Sequence, residues 1–107
     1  MNTVTYDFTG MTVIVTGGAR GIGAAICHGF ARAGAAVVIA DIEESAAMER
    51  QQLIGSEGGH ALAVKTDVTC RDEVERLVEK TLQAWGKIDV LVNNAGINTF
   101  YRFAELP

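Results

Sequence analysis

At 107 residues the chain has room for one domain with a real core, and it is short for an enzyme that must hold both a cofactor and a substrate. Hydrophobic residues make up 49% and charged residues 21%, ordinary globular usage that excludes a largely disordered chain. The formal net charge of -4, with no concentrated Lys/Arg run, argues against nucleic acid or an anionic membrane surface as a partner.

The first stretch, MNTVTYDFTG, carries neither a basic region nor a long apolar run, so it does not read as a signal peptide. TVIVT (Thr12 to Thr16) is a β-branched run ended by glycines and predicts the first strand. Ile22, Ile26 and Phe30 recur at intervals of four, with Ala25 and Gly29 on the same face, which predicts an amphipathic helix stopped by Gly34. AAVVIAD (Ala35 to Asp41) is continuously apolar, as a strand covered on both faces should be. Its apolar part is too short to span a bilayer.

A helix is predicted from Glu43 to Ser56, closed by EGGH, and HALAVKTDV (His60 to Val68) reads as the third strand. TCRDEVERLVEKTLQAWG is the clearest helix, with Val74, Leu77, Val78, Leu82 and Trp85 as one core-facing apolar stripe. Thr69 is its expected N-cap, Asp72, Glu73 and Glu75 favour the positive end of the dipole, and Gly86 stops it. IDVLVNNAG, apolar until Asn93, is the fourth strand. The order βαβαβαβ with short connections predicts an α/β fold with right-handed crossovers, one domain over residues 1–107.

Cys27 and Cys70 show no CxxC or Cys/His spacing, which argues against a metal site and for free thiols in a reducing cytosol, with Cys27 partly buried on its helix. No His follows Cys70, so a Cys/His nucleophile is not supported there. His28 and His60 have no partner at a useful spacing and read as structural or exposed.

TGGARGIG, Thr16 to Gly23, joins the first strand to the first helix. A strand feeding a glycine-rich turn that opens a helix presents unpaired N–H groups at the positive end of a dipole, an anion site suited to phosphate. Gly17, Gly18, Gly21 and Gly23 keep Cβ atoms away from such an anion, whereas a merely tight turn needs one glycine. No Lys followed by Ser/Thr opens the helix, so a nucleoside triphosphate loop is poorly supported. The spacing G-x-G-x-x-G is not matched either, and the turn is a variant of the dinucleotide type.

Asp41 ends the second strand, where a carboxylate can accept hydrogen bonds from adenosine ribose hydroxyls and repel the extra phosphate of NADP. An ordinary strand-end turn residue is the alternative for Asp41.

TGGARGIG, the acidic residue after strand 2, DV after strand 3 and NNAG after strand 4 together closely resemble the short-chain dehydrogenase/reductase family, whose pattern is T-G-x-x-x-G-x-G with a downstream N-N-A-G. The features fall in the family's order and spacing over essentially the whole chain. The resemblance implies a Rossmann-type doubly wound parallel sheet, here ending after strand 4, and hydride transfer between a nicotinamide and a small-molecule alcohol or carbonyl. It implies cofactor contacts from Gly17, Gly18, Arg20, Gly21, Ile22 and Gly23 in the turn and from Asp41. It places Asp67 and Val68 along the adenine, Asn93 at backbone and cofactor contacts, and Ala95 and Gly96 where ribose and phosphate approach closely. Read from the residues alone, Asp67 begins the next turn and Asn93 and Asn94 are turn residues. Arg20 stands where NADP-preferring members often carry a basic residue, but repulsion by Asp41 outweighs one solvated Arg, so NAD is expected over NADP.

The family's catalytic Tyr needs a nearby Lys, because a phenol with a pKa of about 10 is a poor base at neutral pH. Here the residues four beyond Tyr6 and Tyr101 are Gly10 and Glu105, so Y-x-x-x-K is not matched. The expectation is therefore the amino-terminal, cofactor-binding portion of such an enzyme, without the catalytic Ser, Tyr and Lys, inactive by itself and poorly soluble through the open edge of strand 4. The full-length enzyme is expected to be a cytoplasmic homo-oligomer. A stand-alone dinucleotide-binding or sensing module is the alternative. Tyr101, Arg102 and Phe103 receive no role.

Overall fold

The computed structural model describes residues 6–95. The elements are β1 (Thr12–Thr16), α1 (Gly21–Arg32), β2 (Ala36–Asp41), α2 (Glu44–Ser56), β3 (His60–Lys65), α3 (Arg71–Trp85) and β4 (Val90–Asn93). They form one parallel sheet in the order β3-β2-β1-β4, with Thr16 level with both Ala40 and Asn93. The chain steps outward from β1 to β3, then returns past the start to lay β4 on the other side of β1. That reversal is the switch point of a Rossmann-type sheet, and it opens a crevice at the carboxyl ends of β1 and β4.

Both faces of the sheet are covered at β1 and β2, while β4 is open on the side of Leu91. Val13, Val15, Val37 and Ile39 pack against Cys27 of α1 and Ala47 and Ile54 of α2, while Ile14, Val38 and Val64 meet Leu77 of α3. Val37, Val38 and Ile39 are wholly buried, which explains the unbroken apolar run of β2, and each contributes roughly 1.5–3 kcal/mol of burial. Cys27 is completely buried rather than partly so, and desolvation pushes its thiol up to about 12.

Four further expectations change. The fully buried residues of α1 are Gly23, Ala24 and Cys27; of the expected stripe, Ile26 and Phe30 are half-buried against the core and Ile22 is exposed. Small residues take the fully buried positions where α1 closes on the glycine turn, and Phe30 packs edge-on against Phe8 at the margin of the core. The third strand ends at Lys65 rather than Val68, although Thr66 N–H still bonds to the Asp41 carbonyl.

The α3 stripe is only half buried. Leu77 and Thr81 face the core, Trp85 packs beside it, and Val78 and Leu82 are exposed, since α3 lies over β2 and β3 and not over β4. Thr69 is not the N-cap: Cys70 holds that place without a side-chain bond, and Thr69 instead donates to Asp67. Gly86 ends α3 in the left-handed conformation, as expected.

Candidate functional site

The TGGARGIG turn lies at the crevice. Its helix, α1, begins after Arg20 with no side-chain cap and no acidic residue in the first turn, whereas α2 has Glu44 there and α3 has Asp72 and Glu73. The leading N–H groups of α1 are thus offered with roughly half a positive elementary charge and no competing carboxylate of their own. This is where an anion is best held.

The four glycines do different work. Gly21 has φ of +57°, and a Cβ there would meet nothing, so this position faces open space. Gly23 is a close-approach residue: a Cβ would collide with the Gly17 carbonyl and come within 2.6 Å of Asn94 Nδ2. Gly18 is packed in the same sense against Cys27 Sγ and the Val15 carbonyl. Gly17 lies beside Asn94 and Ala95. Two of the four are therefore demanded by protein packing, which clears space for an anion only indirectly.

Thr16 and Asn94 connect β1 to the loop after β4; Thr16 carried no expected role, and Asn94 was expected only as a turn residue. The Thr16 hydroxyl accepts from the Asn94 and Ala95 amides, each at 3.0 Å, and donates toward Asn93 Oδ1 at 3.2 Å. Asn94 Nδ2 donates to the Gly17 carbonyl at 3.0 Å. Asn93 is exposed at the end of β4, and Ala95 is half-buried. Gly96 lies outside the described residues, as do Tyr101, Arg102 and Phe103.

Asp41 sits half-buried at the end of β2, level with Lys65 of β3. Oδ2 accepts the Ala19 N–H at 3.1 Å and Oδ1 accepts the Glu43 N–H at 3.0 Å, so the carboxylate both clamps the glycine turn and shapes the strand end. Arg20 pairs with Glu43 at 3.2 Å, with both side chains more than half exposed. Such a pair is worth little in stability but places a second carboxylate beside Asp41.

Asp67 follows β3. Its Oδ1 accepts from the Thr69 amide at 2.9 Å and the Thr69 hydroxyl at 2.6 Å, and these bonds hold its carboxyl below the usual range. The turn reading of Asp67 therefore describes Oδ1, while among the described residues no donor bonds to Oδ2. Val68, Ile22 and Ile42 are exposed apolar side chains, at 43%, 68% and 58%, each adjoining a carboxyl-end loop of the sheet. Ile42 escaped sequence reasoning because a lone Ile between acidic residues forms no periodic pattern.

The family model for short chain dehydrogenase matches residues 11–107. The chain belongs to the short-chain dehydrogenase family. It is 44% identical over 98 residues to an uncharacterized oxidoreductase of Thermotoga maritima, covering 92% of this chain and 38% of that protein. It is 45% identical over 100 residues to L-rhamnose 1-dehydrogenase (NAD(P)(+)) of Azotobacter vinelandii, covering 90% and 39% respectively. Among solved structures, a 7α-hydroxysteroid dehydrogenase complexed with NADH and 7-oxo glycochenodeoxycholic acid is similar with a TM-score of 0.84 and 39% identity, covering 94% of this chain and 39% of that one. The chain thus spans well under half the length of these short-chain dehydrogenases. Among the described residues no helix is long and apolar enough to cross a membrane.

Proposed function

We propose that this chain is the cofactor-binding part of an NAD-dependent short-chain oxidoreductase. The observation that carries the proposal is Asp41, whose carboxylate stands at the end of β2, bonded to the Ala19 amide of the glycine turn. A dinucleotide fits this arrangement. The uncapped start of α1 and the open space at Gly21 suit the pyrophosphate, and Asp41 suits the adenosine ribose hydroxyls. Val68 and Asp67 Oδ2 suit an adenine face and its amino group, and Ile22 suits the far end of the ligand. Asn93 and Ala95 close the approach from β4.

The choice of NAD over NADP rests on charge. Asp41 would face an additional phosphate directly, and Arg20, the one cation of the turn, is already paired with Glu43.

When bound, the nicotinamide would supply hydride exchange with an alcohol or carbonyl. This chain's own residues bind and orient, and no Y-x-x-x-K pair occurs in the sequence to move the accompanying proton. We therefore assign binding to the chain alone and turnover to an enzyme that also supplies a Ser, Tyr and Lys. The steroid and sugar activities in the names of similar proteins mark a small polycyclic or sugar alcohol as the substrate range to screen.

An oligomer in a reducing cytosol completes the proposal. The exposed Val78, Leu82 and Leu91 offer apolar surface for further protein to cover, and both cysteines are free thiols.

The test is calorimetric titration of the folded chain with NADH and NADPH in parallel. Tighter binding of NADH is expected; equal or tighter binding of NADPH would remove the role given to Asp41, and no binding of either would remove the proposal.

A further inference from the structure

Arg50 lies on α2, half-buried and outside every motif. Its Nε and Nη2 reach across to the Ala19 carbonyl at 3.4 and 3.3 Å, while Nη1 lies 3.3 Å from His28 Nε2 on α1. An Arg can only donate, so His28 Nε2 is the acceptor from Nη1, and His28 Nδ1 lies 3.6 Å from Glu57 Oε1. Among the described residues no carboxylate lies within salt-bridge distance of Arg50.

The two peptides around Ala19 are thus gripped from different sides. Asp41 takes the Ala19 N–H, and Arg50 takes the Ala19 carbonyl. In a trans peptide the N–H and C=O point in opposite directions. Turning the Ala19 carbonyl toward α2 therefore aims the Arg20 N–H away from it. A flip of that peptide would instead present a carbonyl oxygen, with its partial negative charge, on the far side.

We propose that Arg50 is a positioning residue for the anion site: by holding the Ala19 carbonyl toward α2 it keeps the turn's N–H groups, not its oxygens, turned to the pyrophosphate of a bound dinucleotide. The proposal rests on the dinucleotide reading above. Arg50 acts through the turn and touches no ligand itself.

The experiment titrates wild type, Arg50→Met and Arg50→Lys with adenosine, ADP-ribose and NADH, after circular dichroism has established folding. Adenosine lacks the pyrophosphate and reports on the Asp41 end alone. For Arg50→Met, ADP-ribose and NADH should bind about tenfold more weakly while adenosine changes by less than about twofold. Arg50→Lys keeps the charge but loses the fork, and should fall between.

An equal loss for adenosine and ADP-ribose would make Arg50 merely structural and overturn the proposal, as would no loss for either. If wild type binds neither ADP-ribose nor NADH, the dinucleotide reading itself fails; if wild type binds and Arg50→Met binds as well, only the positioning role fails. Should Arg50→Met not fold, Arg50→Lys decides by the same comparison.

Discussion

Asn94 donates its side-chain amide to the carbonyl of Gly17 at 3.0 Å, joining the loop after β4 to the glycine turn after β1. The neighbouring Thr16 hydroxyl receives two further amides from that loop. Replacing Thr16 by Val keeps shape and removes the acceptor, leaving the half-buried Ala95 N–H unsatisfied, while the Asn94 N–H keeps the Val92 carbonyl at 3.1 Å. Denaturant unfolding should show a loss of about 1–2 kcal/mol, and Thr16→Ser should recover most of it. Equal stability of Thr16→Val and wild type would refute the linkage.

Gly23 and Gly29 lie on the same helix and should respond oppositely to alanine. At Gly23 a Cβ strikes the Gly17 carbonyl, so Gly23→Ala should cost about 1–3 kcal/mol or force the turn open, with loss of NADH binding. At Gly29 a Cβ meets nothing, and Gly29→Ala should stabilise by about 0.5–1 kcal/mol through helix propensity. Thermal melts of the two variants make the comparison.

Asp41→Ser should relax the choice of cofactor. Removing the carboxylate takes away the repulsion of a ribose phosphate and frees the Arg20 and Glu43 pair to rearrange. The ratio of NADPH to NADH affinity, followed by fluorescence titration, should rise about tenfold or more, equivalent to about 1.4 kcal/mol.

Asp89 predicts part of the acid response. Its Oδ2 accepts the Thr12 N–H at 2.8 Å, with Lys87 Nζ at 3.4 Å, and the backbone bond holds the carboxyl below its ordinary value of 3.8. Asp67 is lowered in the same way by Thr69. A carboxyl lowered on folding contributes stability above its unfolded value and loses it as pH falls through the folded value. Urea midpoints of wild type should therefore decline from about pH 5 toward pH 3, and more steeply than those of Asp89→Asn. Parallel declines would show that the Thr12 contact has no share.

The alternation of strands and helices was legible because each element carries a local signal. β1 matches its predicted limits, β2 and α2 begin one residue later than expected, and Gly34 and Gly86 end their helices as foreseen. A continuous apolar run and a glycine stop need no knowledge of distant residues. The spacing of TGGARGIG, Asp41 and NNAG pointed to one family for the same reason, since each follows a strand directly.

Burial was less legible. On α1, Ile26 and Phe30 reach the core only in part and Ile22 not at all, because hydrophobic size predicts burial only where there is room, and the contact between Gly23 and the Gly17 carbonyl leaves none there. The α3 stripe was half misjudged because which part of an apolar face is covered depends on the strands beneath it.

By itself the sequence determined the order of elements, the glycine turn, the acidic end of β2 and the family they announce, all properties of residues close in the chain. Only the tertiary structure decided that Thr16 binds the loop after β4, that Gly18 and Gly23 serve packing first, and that Arg50 grips Ala19. Those contacts join residues remote in sequence through directional bonds and close backbone approach, which composition and periodicity do not encode.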